Sequence, residues 1–216
     1  MLTIYYSFIR KEVHEFLMSN YRYELSSDFQ NRILRYKNWS DAQLSLLGRM
    51  MLFDILKKKY RLHMTDNDIR FTKNKKPFFE DAPINFNISH AHHISICGVT
   101  EDGEIGIDIE KIQPVKIEDL GFCLTPNEKK KINESMNKDQ LIIDIWTRKE
   151  SLIKLIGKGL TIPLSEIETQ SAEDNDTLLY NGQNFNIKKI YIADDYCCYV
   201  CSELPIKDIS INEFKN

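Results

Sequence analysis

Helical periodicity followed by strand alternation occurs twice along this chain, and that order limits the fold more than any other feature. Residues 2–8 alternate like an opening strand. Short helices are expected over 12–19 and 26–37, with Ser26 or Ser27 as a cap. Ser40 or Asp41 caps a long helix to about Tyr60, with Leu44, Leu47, Met51, Ile55 and Leu56 as its apolar stripe. Strand-like runs follow near 69–72 and at 84–89, 94–100 and 104–111, with a turn over Lys73 to Pro77. Asp102-Gly103 reads as a hairpin turn between the last two. The second round opens at Thr125-Pro126-Asn127-Glu128, which has a capping Thr, a Pro at the first helical position and the Glu of a capping box. A longer helix covers about Lys138 to Ile156 and stops at Gly157 and Gly159. Antiparallel strands are expected from Ile162 to Glu203, with turns at Asp174-Asn175-Asp176 and Asn181-Gly182. The chain therefore reads as α+β with two lobes, residues 1–103 and 104–216, joined near Thr100–Gly106, although no repeat is visible in the letters.

The 216 residues suffice for one large domain or two small lobes, and an apolar content of 42% is that of a globular chain. A formal charge of −3 gives no global attraction to nucleic acid or to a membrane surface, so a charged partner must be met by local patches. Five cysteines without framework spacing read as buried thiols in a reducing compartment, Cys197, Cys198 and Cys201 within one strand. No apolar run approaches the roughly 20 residues of a membrane span, and the charged Arg10, Lys11 and Glu12 rule out a signal peptide. A cytoplasmic protein is expected.

The chemistry concentrates in two segments. In Gly106-Ile107-Asp108-Ile109-Glu110, period two puts both acids on one face and both isoleucines on the other. In the helix Trp146-Thr147-Arg148-Lys149-Glu150-Ser151-Leu152-Ile153-Lys154, Glu150 and Lys154 share a face, and Trp146 shares it too. Separately, each pattern is ordinary: a solvated strand face and a surface ion pair. If strand and helix meet, three carboxylates converge and require protons or a cation. Mg²⁺, held by a few carboxylates together with substrate phosphates and waters, is the natural compensator, and Lys154 suits a phosphate. Asn87-Ile88-Ser89-His90 at a strand end has the groups of an anion cradle. Gly157-Lys158-Gly159-Leu160 lacks the full phosphate-loop pattern, and no nucleophile-elbow or dinucleotide fingerprint is present.

Taken in order, Phe86-Asn87-Ile88-Ser89-His90, Gly106–Glu110 and Trp146–Lys154 with Gly157–Leu160 resemble the signatures of the 4′-phosphopantetheinyl transferase superfamily, in its surfactin-synthetase-activating type. Lys76-Pro77 resembles the family's lysine-proline turn, and Ser40-Asp41-Ala42 with Leu46-Leu47-Gly48 its first long helix. The likeness spans roughly residues 20–170. It implies two similar lobes arranged as a pseudo-dimer, with the active site in the cleft between them. It further implies Mg-dependent transfer of the phosphopantetheine arm of coenzyme A to a serine of an apo carrier protein, releasing adenosine 3′,5′-bisphosphate.

Under that resemblance Asp108, Glu110 and Glu150 are the metal ligands, and Asp108, Glu150 and Lys154 are catalytic, with Glu150 the candidate base acting directly or through water. Arg32, Lys76, Ser89, His90, Lys154 and Lys158 would bind coenzyme A. The N-terminal lobe takes the adenosine side. The C-terminal lobe takes the metal and the carrier, which docks along Leu120 to Glu134 through Phe122, Leu124 and Lys129 to Lys131. Leu44 and Phe29 stand where many relatives carry basic residues. A monomer is expected, because two lobes in one chain build the cleft unaided. Two rival readings use the same residues: a magnesium-dependent nucleotide pyrophosphohydrolase, and a non-catalytic coenzyme A or carrier-binding module.

Overall fold

β-Branched and aromatic residues in alternation form the opening strand β1 (Leu2–Phe8), and its partners come from distant parts of the chain. The computed structural model describes residues 1–170 and 177–215. After β1 come α1 (His14–Asn20), α2 (Ser27–Leu34) and α3 (Trp39–Ile55), then β2 (Ile69–Phe71), β3 (Pro77–Phe79), β4 (Asn85–Ala91) and β5 (Ile94–Thr100). The second half has β6 (Ile105–Lys111), α4 (Ile117–Leu120), α5 (Pro126–Glu134), α6 (Lys138–Ile156), β7 (Glu168–Gln170), β8 (Thr177–Tyr180), β9 (Gln183–Lys189), β10 (Tyr196–Ser202) and β11 (Ile209–Glu213).

The α+β reading holds. One sheet runs β11-β1-β5-β4 and the other β6-β10-β9-β8-β7, with β2-β3 a separate hairpin. Each half repeats one plan. An opening strand is followed by short helices, a long helix and an antiparallel hairpin, and the hairpin's last strand pairs antiparallel with the opening strand. Thus β1, α3, β4 and β5 correspond to β6, α6, β9 and β10. The repeat lies in the topology and not in the letters.

The two sheets face each other across a shared apolar layer. Leu2, Ile4, Ile94 and Ile96 come from one, and Ile105, Ile107, Ile109, Cys198 and Val200 from the other. On the outer faces α3 packs Met51, Leu52 and Ile55 against Phe86, Cys97 and Val99, and α6 packs Leu152 and Leu155 against Cys197, Tyr199 and Cys201. Helix, sheet, sheet and helix make four layers. The expected core positions Leu44, Leu47, Met51, Ile55 and Leu56 are all buried, as are all five cysteines, which are unpaired.

Local signals performed well. Ser26 caps α2, with its hydroxyl accepting the Phe29 N–H at 3.3 Å. Thr125 and Glu128 form the expected capping box, and Pro126 opens α5. Gly157 (φ 70°) ends α6 in a left-handed conformation, and Asn181 (φ 49°) with Gly182 (φ 75°) turns the β8–β9 hairpin. The Asp174–Asp176 turn lies outside the described residues.

Four expectations are corrected. The long helix α3 starts at Trp39 after Asn38, and neither Ser40 nor Asp41 is its cap. Asp102-Gly103 does not close a hairpin, because β5 and β6 belong to different sheets and the segment carries the chain from one lobe to the other. The C-terminal lobe does not keep the chain to its end: β11 returns to pair parallel with β1, so residues 209–213 complete the N-terminal sheet. Leu124 is buried, 2% exposed, and cannot be a surface contact, whereas Phe122 is 65% exposed.

Candidate active site

Gly106 makes the site possible. A Cβ there would lie 2.0 Å from the Ser151 carbonyl oxygen and 2.3 Å from the Leu155 nitrogen. Only a glycine lets α6 press so closely on β6. That contact brings the acidic face of the strand against the face of the helix that carries Glu150 and Lys154. Ile107 and Ile109 point into the layer between the sheets, and Asp108 lies opposite Tyr199 on the helix side.

The edge of the N-terminal sheet completes the arrangement. Asn87 on β4 accepts the Ile107 N–H through Oδ1 at 3.0 Å, joining the lobes where they meet. Two residues on, the Ser89 hydroxyl donates to Asp108 Oδ1 at 2.9 Å. Lys154 Nζ donates to the same oxygen at 2.6 Å and to the Ser89 hydroxyl at 2.7 Å. Lys154 therefore pairs with Asp108 on the strand beneath its helix and reaches across the cleft to Ser89, and does not pair with Glu150 one turn away on its own helix as helical spacing alone suggests.

The remaining acids are under-compensated. Asp108 Oδ2 and Glu150 Oε1 are buried and have no hydrogen-bond partner. Burial, then the charge of Asp108, pushes the Glu150 carboxyl up to about 7, against a relief from Lys154. Burial and Asp108 likewise raise Glu110, which the Trp146 indole N–H at 3.3 Å and Lys154 partly offset. His90, exposed at the rim of the site, is held below the usual imidazole range by the partial desolvation of its ring and by the Lys154 charge, so it is neutral near pH 7. Among the described residues no three carboxylate, histidine or cysteine side chains stand together as a ready-made metal cage.

Of the residues singled out in the sequence, the fold gathers Ser89, His90, Asp108, Glu110, Glu150 and Lys154. Three coenzyme A candidates stand apart. Lys76 packs against Gly157 and donates to the Leu155 carbonyl at 2.7 Å and to Glu104 at 2.5 Å, capping the end of α6 and tying the lobes. Lys158 is exposed just beyond that helix end. Arg32 stacks on Phe29, 4.5 Å from the ring centre, at a cavity of about 360 Å³ that Arg49, Asp66 and Arg70 also line. Sequence reasoning passed over Asn87 as a joint and Trp146 as a donor to Glu110. A polar residue inside an apolar strand and an indole on an acidic helix face were the available signals.

Comparison with known proteins bears on the family of the chain. The family described as 4′-phosphopantetheinyl transferase superfamily matches residues 104–201, and that described as 4′-phosphopantetheinyl transferase, N-terminal, matches residues 13–100. The 4′-phosphopantetheinyl transferase gsp of Aneurinibacillus migulanus is 31% identical over 96% of this chain and 90% of its own length. The 4′-phosphopantetheinyl transferase Sfp of Bacillus subtilis (strain 168) is 29% identical over 84% of this chain and 83% of its own. A looser likeness, with a TM-score of 0.40 and 16% identity, links 45% of this chain to 61% of the Thermotoga maritima holo-[acyl-carrier-protein] synthase chain. With a 31% identical relative matched over nearly its whole length, and the two family descriptions falling on the two lobes in turn, the chain belongs to the 4′-phosphopantetheinyl transferase superfamily.

Proposed function

We propose that this transferase moves the 4′-phosphopantetheine arm of coenzyme A onto a serine of an apo acyl or peptidyl carrier protein and releases adenosine 3′,5′-bisphosphate. The observation that carries the reading is the cluster at Asp108, whose buried Oδ2 has no partner beside Glu110 and Glu150 while Oδ1 is held by Ser89 and Lys154.

The donor set fits Mg²⁺. The ion prefers carboxylate oxygens and takes only one or two of them from the protein, with the rest from water and substrate phosphates, so a closed cage is unnecessary. The orphaned oxygens of Asp108 and Glu150, with Glu110, are the groups that would hold it. The chemistry supplied by the bound ion is neutralisation of charge on the pyrophosphate and on the departing bisphosphate.

The chain's own residues do the remaining work. Lys154 and the Ser89 hydroxyl, already at hydrogen-bond distance from each other, are placed to donate to phosphate oxygens. His90, being neutral, contributes a hydrogen bond and not a full charge. The attacking serine must lose its proton as its oxygen bonds to phosphorus. Glu150 takes that proton, directly or through a water molecule. Trp146 steadies Glu110 through its indole N–H. The exposed Phe122 and Lys129 to Lys131 offer the carrier an apolar contact and a basic stripe. A cytoplasmic monomer is part of the same proposal.

The test is intact-mass measurement of apo carrier proteins incubated with the enzyme, coenzyme A and Mg²⁺. A gain of one phosphopantetheine on the carrier serine supports the reading. Release of adenosine 3′,5′-bisphosphate without any carrier would indicate a pyrophosphohydrolase. Binding of coenzyme A without any product would indicate a non-catalytic module.

A further inference from the structure

Each lobe buries one ion pair between its long helix and the cap of the short helix beside it, away from the Asp108 cluster; the N-terminal pair also lines the cavity at Arg32. In the C-terminal lobe Lys149, fully buried in the middle of α6, donates to Glu128 Oε2 at 2.5 Å, to the Cys123 carbonyl at 2.8 Å and to the Leu164 carbonyl at 3.1 Å. Glu128 in turn accepts the Thr125 N–H at 2.9 Å and the Thr169 hydroxyl at 2.9 Å. In the N-terminal lobe Arg49, 5% exposed in the middle of α3, pairs with Asp66 at 3.1 Å. Asp66 accepts the Ser26 N–H at 3.2 Å and the Ser26 hydroxyl, and Ser26 is the cap of α2. In both lobes a cation on the long helix thus grips, through one carboxylate, the N-terminal cap of the short helix beside it.

Hydrophobic stability does not explain this device. A buried ion pair is often no better for stability than apolar side chains of the same volume. It does fix geometry, because a lysine bonded to two backbone carbonyls, of Cys123 and Leu164, and to the Glu128 carboxylate holds all three in one register. The short helices need such an anchor. With eight and nine residues, α2 and α5 are too short to hold their place alone. Both carry groups aimed outward. Arg32 on α2 lines the cavity beside Phe29, and Lys129, Lys130 and Lys131 on α5 are exposed.

We propose that Arg49–Asp66 and Lys149–Glu128 are paired positioning devices, each holding the short helix that recognises one of the two substrates: α2 the phosphorylated nucleotide end of coenzyme A, α5 the carrier protein. This rests on the transfer reading above. Lys149 directly precedes Glu150, so the C-terminal pair sets the docking segment relative to the proposed base, while the N-terminal pair sets Arg32 relative to Ser89 and His90.

The experiment measures the two KM values separately in two variants that leave no unpaired buried charge, R49M/D66N and K149M/E128Q, after thermal melts confirm folding. An apo peptidyl carrier domain and coenzyme A are the substrates. R49M/D66N is expected to raise the KM for coenzyme A by about tenfold or more, and K149M/E128Q to do the same for the carrier. In each case the other KM is expected to stay within about twofold. A merely structural role would move both together. Joint movement, crossed movement or no movement overturns the proposal, and so does failure of both variants to fold. Absence of transfer by the unsubstituted protein would strike the transfer reading instead. Calorimetric titration of coenzyme A into R49M/D66N and the unsubstituted protein then decides the α2 half, equal affinities overturning it.

Discussion

Asp108 is the residue on which the two lobes converge. Replacing it with alanine removes the acceptor for both Ser89 and Lys154, but also removes the charge that, after burial, adds to the rise of Glu110 and Glu150. These effects oppose each other in stability. D108A is therefore expected to keep its melting temperature within about 4 °C of the parent while losing transfer by about 100-fold or more. Calorimetry and the carrier mass assay check the two halves, and an unfolded D108A would make Asp108 structural. E150Q keeps shape and removes the proton acceptor, so transfer is expected to fall by about 100-fold in the same assay. Near-normal turnover would remove Glu150 from the mechanism. Residue types at this scale were legible in the sequence, since acids on one strand face and an acid-lysine pair on a helix already pointed to a charged site. Their partners were not. Helical spacing joins Lys154 to Glu150, but tertiary packing gives it to Asp108, because a buried carboxylate on the neighbouring strand is the stronger attractor than an acid on its own helix.

At the scale of the element, the close approach of α6 to β6 governs the site. An alanine at Gly106 would press its Cβ on backbone atoms of α6 that cannot swing aside. G106A is expected to cost about 3 kcal/mol in denaturant unfolding, with transfer lost in whatever folds. G121A, where nothing lies within 4 Å of the added Cβ, is the control and is expected to be near neutral. Wild-type stability in G106A would mean that the helix has room to move. Element positions were well marked in the sequence wherever the signal was local: the Ser26 cap, the Thr125–Glu128 box, the Gly157 stop and the Asn181-Gly182 turn. The start of α3 was misread because its first turn has no side-chain cap, and Asp102-Gly103 was misread because a turn dipeptide does not say which strands it separates.

Across the whole molecule, two features bear on stability. Residues 209–213 close the N-terminal sheet, and Phe214 anchors them with its ring stacked on Tyr5 at 6.3 Å and its N–H bonded to the Tyr6 carbonyl at 2.7 Å. Removing residues 208–216 bares the edge of β1 and is expected to lower unfolding free energy by about 2 kcal/mol or more and to promote aggregation. Denaturant titration and light scattering check this. The second feature is the set of five buried thiols. Burial raises them all, Cys123 and Cys197 to about 11. Between about pH 9 and 11 the unfolded chain loses thiol protons that the folded chain retains, so stability is complete below about pH 8.5 and falls as pH rises through that window. Melting temperatures recorded from pH 8 to 10.5 should decline, and Ellman's reagent at pH 8 should find no fast thiol without denaturant. Rapid labelling of any cysteine in the folded protein would contradict the burial.

The sequence by itself determined what each segment is: its period, its apolar face, its caps and stops, and the acids and bases it presents. Those properties come from neighbours along the chain, and a chain carries its own neighbours with it. Tertiary structure alone decided which segments meet. It separated β5 from β6, brought β11 back to β1, set Ser89 and Lys154 on one oxygen of Asp108, and buried Lys149 next to the acidic residue Glu150. The physical reason is that pairing between distant strands and helices depends on how the two apolar layers fit together as a whole, and periodicity says which face is buried without saying against what.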